Sequence, residues 1–83
     1  MHSHKVYVVA STEKLRDVHV DGIYDSDVYT VDSIVAGLKD KLKGQLYQVS
    51  MYDDNAYIDV VDSKDNLVTT YSIISKVVML VND

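Results

Sequence analysis

Asp17, His19 and Asp21 alternate along one short stretch, so an extended backbone turns all three side chains to the same side. A histidine flanked by carboxylates makes a charge-assisted pair, and beside a serine it would serve as the base of a nucleophilic site. No motif marks such a serine. Asp25-Ser26-Asp27 has the spacing that opens a calcium loop. Tyr29, however, stands at the next ligand position, and the glycine and distal glutamate that complete such a loop are missing. His2 and His4 offer nitrogen donors of the kind that hold copper or nickel. Asp59, Asp62 and Asp65 form a spaced trio that the preference of aspartate for turns explains without an ion. The chain has no cysteine, so neither a thiolate metal site nor a disulfide framework is available. These residues point to no catalytic group, no metal and no cofactor, and the expectation is a protein that is not an enzyme.

The tyrosines point elsewhere. In MYDDNAYID, residues 51–59, Tyr52 and Tyr57 stand symmetrically about Asp53-Asp54-Asn55-Ala56. A hairpin closed by a two-residue Asp54-Asn55 turn would pair Tyr52 with Tyr57, Met51 with Ile58 and Val49 with Val60. One face then carries Tyr47, Val49, Met51, Ala56, Ile58 and Val60. The other carries Gln48, Ser50, Tyr52, Tyr57, Asp59 and Val61. A slip of one residue would mix the two sets, so the pattern selects the faces.

The elements that must hold these residues follow from composition and periodicity. A chain of 83 residues is a single domain, 47% hydrophobic and 25% charged, as a globular protein is. Of its 13 acidic residues only Glu13 is glutamate. This aspartate bias suits turns and caps, and so a strand-rich fold. Lys5–Ala10 reads as a strand, 11–17 as a loop, and Val18 to Asp25 as one irregular strand with a bulge near Gly22. Val31, Ile34, Val35, Leu38 and Leu42 have the spacing of one buried helical stripe, which predicts a helix over about 31–43. Thr30 is placed to cap it, Gly44 to stop it, and Gly37 to allow close packing. The remainder reads as strand: the hairpin, a turn at 62–66, a strand over 67–74, and a central strand in KVVMLV, 76–81, where the competing reading is a C-terminal helix that the density of Val and Ile disfavours. The expected fold class is α+β, a mostly antiparallel sheet of about five strands with the helix on one face, in the order ββαβββ or ββαββββ.

YVVAS, then a polar loop, then GIYDS and a helix resembles the opening of many small phage and bacterial proteins of unknown function. The resemblance covers about the first half of the chain. It implies a ββα start and a mobile-element origin, and it transfers no functional residue.

A net charge of -5 repels nucleic-acid phosphates. No stretch is long and apolar enough to span a membrane, and MHSH does not open as a signal peptide does, so the expected address is the cytoplasm. A sheet of five strands is about 20 Å wide, and a helix about 10 Å across covers one face only partly and leaves the other open. That face is expected to display Tyr7, Val9, Tyr52, Tyr57 and Val61, rimmed by Asp53, Asp54 and Asp59, which is the composition of a protein interface. The expected function is a small acidic protein-binding domain, a phage- or mobile-element-encoded modulator of a host or defence protein. A homodimeric accessory subunit and a phosphate-mimicking inhibitor of a nucleic-acid enzyme are the two rivals. Mimicry requires Asp53, Asp54, Asp59, Asp62 and Asp65 to merge with Asp17, Asp21, Asp25 and Asp27 into one acidic surface.

Overall fold

A computed structural model describes residues 2–13 and 16–80, and the side chains of 3–13 and 16–79 among them. The expected amino-terminal metal ligation, the middle of the 11–17 loop and the end of KVVMLV at Val81 lie wholly or partly outside the described residues.

Alternating β-branched and aromatic residues give five strands: β1 (His2–Glu13), β2 (Val18–Asp25), β3 (Leu46–Met51), β4 (Asn55–Val61) and β5 (Leu67–Leu80). One helix, α1 (Val31–Lys41), falls between β2 and β3. The strands make a single antiparallel sheet in the order β2-β1-β5-β4-β3. The chain thus leaves the sheet at one edge, β2, passes through α1, and re-enters at the other edge, β3. The segment that reads as two strands is one strand of 14 residues, because β1 runs beside it from Glu13↔Thr69 to His2↔Leu80 and supplies a ladder partner throughout.

α1 begins as its sequence dictates. The Thr30 hydroxyl accepts from the Ser33 amide (3.1 Å), and Ser33 Oγ accepts from the Thr30 amide (3.0 Å). This reciprocal cap satisfies two of the amides a helix start leaves unpaired. Asp32 sits in the first turn and Lys39 and Lys41 in the last, each favourable to the helix dipole. The helix stops two residues before the expected Lys43, with Leu42 as its C-cap and Gly44 at φ 84°, a conformation suited to glycine.

Buried apolar residues gather in one cluster. Val31, Ile34, Val35, Leu38 and Leu42 of the helix segment join Tyr7 and Val9 of β1, Ala56, Ile58 and Val60 of β4, and Ile73 of β5. The registers Tyr7↔Tyr24, Val9↔Ile73, Ala56↔Ile73 and Ile58↔Tyr71 put these strand residues on one face of the sheet, the core face. Tyr7 and Val9, expected on the exposed face, therefore belong to the core at 6% and 2% exposure. β1 is apolar at consecutive positions, so its pattern leaves open which parity turns inward. The large Tyr7 ring fills that interior, and Val6 and Val8 face the other way.

Two bulges shape the sheet. One falls between Val9 and Ala10, where Gly22 and Val20 are successive partners and Asp21 is the extra residue. The other falls between Val60 and Val61, ahead of the turn at Asp62. In that turn Asp62 Oδ1 accepts from the amides of Lys64 (2.8 Å) and Asn66 (3.0 Å), while Asp65 takes a φ of 61°. An aspartate that bonds its own backbone two residues on is a turn-former, and aspartate tolerates the left-handed region better than most residues.

Two substitutions test this packing. Ile58→Ala, at a fully buried site, should lower the unfolding free energy by about 2–5 kcal/mol in a denaturant melt. Gly37 was expected to permit close packing, yet a Cβ there meets nothing within 4 Å. Gly37→Ala should therefore raise stability by about 0.5–1 kcal/mol, the intrinsic helix-propensity difference.

Candidate functional site

The face opposite the core holds no fully buried side chain. β2 contributes Val18, Val20 and Ile23, which are 64–67% exposed. β1 adds half-buried Val6, Val8 and Ala10, and β5 adds Ser72 and Ile74. β4 adds Tyr57, Asp59 and Val61, and β3 adds Leu46, Gln48 and Ser50. Val8↔Ile23 and Val8↔Ile74 join the aliphatic part across the three strands β2, β1 and β5. The carboxylate of Asp59 accepts from Thr70 Oγ1 at 2.9 Å, so the one acidic group on β4 is tied into the sheet.

Of the expected site, Tyr52, Tyr57, Asp59 and Val61 share this outer face, and Asp53-Asp54 form the turn beside it. The Tyr52 and Tyr57 rings meet edge to face with centroids 6.0 Å apart, a favoured aromatic geometry. They meet diagonally. The register is Ser50↔Tyr57, Val49↔Ile58 and Met51↔Ala56, two residues from the expected pairing. A two-residue shift keeps every side chain on its face, which is why the faces stand and the partners change. The turn is Asp53-Asp54 in place of Asp54-Asn55, closed by Tyr52 N–H to Asn55 C=O at 2.8 Å. Neither turn residue has positive φ. Asn55 is thereby freed for a different task, its Oδ1 accepting from the Ser75 amide at 3.2 Å.

The residues that sequence reasoning missed are Val6, Val8, Val18, Val20, Ile23 and Ile74. The alternation Val18, Val20 was the available signal, and the bulge at Asp21 breaks it before Ile23.

Acidic residues fall at both edges of the sheet. Asp21 and Asp25 lie on β2, while Asp53 and Asp54 adjoin β3 and β4, with β1 and β5 between them. Asp62 and Asp65 lie at the opposite end of β4 from Asp53 and Asp54.

His4, expected in a loose terminus, is a strand residue whose Nε2 lies 2.8 Å from Asp25 Oδ1 and whose Nδ1 lies 4.0 Å from Asp27 Oδ2. His19 makes no such contact among the described residues. One nitrogen and two carboxylates within 4.8 Å of one another could ligate a divalent cation. Hydrogen bonds already account for the arrangement, however, since Asp25 Oδ1 also accepts from the Asp27 amide at 2.8 Å. On the core-face side, a groove of about 270 Å³ lies beside α1, lined by Val9, Tyr24, Tyr29, Gly37, Leu38 and Tyr71 among others. The Tyr24 and Tyr29 rings meet edge to face at 4.9 Å there. Lys5 Nζ lies 3.2 Å from Asp54 Oδ1 and 5.4 Å from the Tyr7 ring centroid. The Asp54 carboxylate, first, and Tyr7 hold its ammonium above the ordinary lysine range.

No protein-family model, curated protein or solved structure matches the chain. No helix among the described residues is long and apolar enough to cross a membrane.

Two carboxyls titrate below their ordinary value: Asp25 through the Asp27 amide and then His4, and Asp62 through the amides of Asn66 and then Lys64. A depressed folded pKa contributes stability that is present above the unfolded value, about 4, and lost as pH falls through the folded one. The melting temperature should therefore fall on acidification below about pH 4. Asp62→Ala should melt lower at neutral pH and lose less over the same acid interval, as followed by circular dichroism.

Proposed function

We propose that this chain is a non-catalytic protein-binding module whose outer sheet face docks a partner protein. In this reading α1 covers the core face, and the outer face is left as the binding surface. The observation that carries the reading is the exposure of Val18, Val20 and Ile23 at 64–67% beside Val6, Val8 and Ile74, an aliphatic area without a charged side chain at its centre. Three strands of about seven residues project roughly 330 Å². Soluble monomers seldom expose a contiguous apolar patch beyond a few hundred Å² unless it binds something. Tyr52 and Tyr57 extend the patch toward β3 with side chains that favour interfaces, since each offers a large apolar ring and a polar tip. The carboxylates at the sheet edges form a polar rim. Binding by a face this broad occludes a partner's surface, and the setting that fits is a phage- or mobile-element-encoded modulator of a host or defence protein.

Ile23→Asp tests it. The site is 67% exposed, so folding should change by about 0.5 kcal/mol or less. A protein retained from cell extract by the wild type, then purified, should bind Ile23→Asp at least tenfold more weakly and Lys39→Ala unchanged, measured by calorimetry. Binding that survives Ile23→Asp and Val20→Asp but is lost in Asp53→Asn with Asp54→Asn would move the site to the acidic turn and end this reading.

A further inference from the structure

The sheet has a part that belongs to neither face. β4 pairs with β5 only from Leu67 to Ile74, and β2 pairs with β1 only from Thr12 to Val6. Beyond those limits the β1–β5 ladder continues alone through His4↔Val78 to His2↔Leu80. The result is a two-stranded arm, and it makes the molecule 54 Å long. The radius of gyration is 14.3 Å, against about 12 Å for a compact domain of this length. An isolated two-stranded ribbon is at best marginal in water. Its β5 strand is apolar on both sides, with Val77 and Met79 (66% and 57% exposed) facing one way and Val78 (39%) the other, while Ser3, His4 and Lys5 make its β1 strand polar.

The backbone of the arm identifies what fits it. The Ser75 amide points away from β1 to Asn55 Oδ1, which closes the ladder where β4 ends. Peptide groups alternate along a strand, so the amides and carbonyls of Val77 and Met79 face the same edge, where no strand lies among the described residues. The body edges carry protection that this edge lacks: β2 is bulged at Asp21, and β3 is only six residues long. Val77-Val78-Met79 has no charge, and the chain has no proline.

We infer that this edge is a self-association site, where β5 of one molecule pairs antiparallel with β5 of a second copy about a two-fold axis at Val78. That register sets Val78 opposite Val78 and Val77 opposite Met79 of the second copy, so apolar side chains meet on both sides of the ribbon. The outward peptide groups of Val77 and Met79 become paired, and the two sheets join into one. An identical arm supplies both the free edge and the apolar side chains, and like charges do not meet at the centre, since Lys76 stands at the flank. None of the chain's acidic residues lies in 2–5 or 76–80, and the carboxylates that reach the arm, Asp54 at Lys5 and Asp25 at His4, are each bonded to one of its side chains. Such a junction is well below the roughly 800 Å² per partner of a standard interface, so the dimer should be weak, on the order of micromolar. This site is separate from the outer face and does not rest on the function proposed for it.

Sedimentation of the purified chain across the micromolar range reads the outcome. The wild type should rise with concentration from 9.3 kDa toward twice that mass. Val77→Pro removes an amide from the free edge and none from the β1 ladder, so it should stay monomeric with a melting temperature near that of the dilute wild type. Val77→Lys, which places a charge at the junction without altering the backbone, should weaken association at least tenfold. A wild type that remains monomeric throughout overturns the inference. So does a dimer that both variants leave unchanged, and a dimer lost only in Ile23→Asp would assign self-association to the outer face.

Discussion

Twelve consecutive residue pairs join β1 to β5, and every other element of the domain is placed by that ladder. β2 hangs on its outer side through β1, and the β3–β4 hairpin hangs on the other through β5. The two strands come from opposite ends of the described chain, so the contact that organises the sheet is also the one with the largest loop to close. Its cost in chain entropy grows only slowly with separation, but nothing local forms it. The core cluster compensates: Val9, Ile73, Ala56 and Ile58, 2% exposed or less, lie across β1, β5 and β4 and lock the three central strands together.

One helix and five strands divide the burial unevenly. The core face takes Tyr7, Val9, Ile58, Val60 and Ile73 with the α1 stripe, while the outer face keeps a second set of aliphatic side chains only partly removed from water. A small domain can hardly build two cores. The outer face and the arm are therefore the parts of the sheet that the core cluster leaves exposed.

Much of this fold could be read from residue order. Thr30, the helix stripe and the turn at Asp62-Asn66 were legible because capping, periodicity and side-chain-to-backbone bonding are local effects. β2 was legible to its ends because the Asp21-Gly22 pair announces the bulge. The faces of the β3–β4 hairpin were legible too, but its register was not, because pairing shifted by two residues preserves every face. β1 was opaque for a related reason: Val6, Tyr7, Val8 and Val9 are apolar on both parities, and only the assembled core cluster shows that Tyr7 and Val9 turn inward. This one ambiguity moved Tyr7 and Val9 out of the candidate surface and put Val6 and Val8 in their place. Ser75-Lys76 looked like a break in β5 because polar residues interrupt the apolar run, whereas β1 lies alongside and carries the ladder through.

The order of the strands also bears on how the chain is made. β1, β2 and α1 leave the ribosome before β5, and β1 has its second neighbour only when β5 appears, beginning 54 residues after Glu13. At synthesis rates of roughly 5–20 residues per second, that leaves several seconds in which Val6, Tyr7, Val8 and Val9 are unshielded. A β1–β2 hairpin standing alone is too small to bury them. The sheet can therefore close only once β5 is available to insert between β1 and β4.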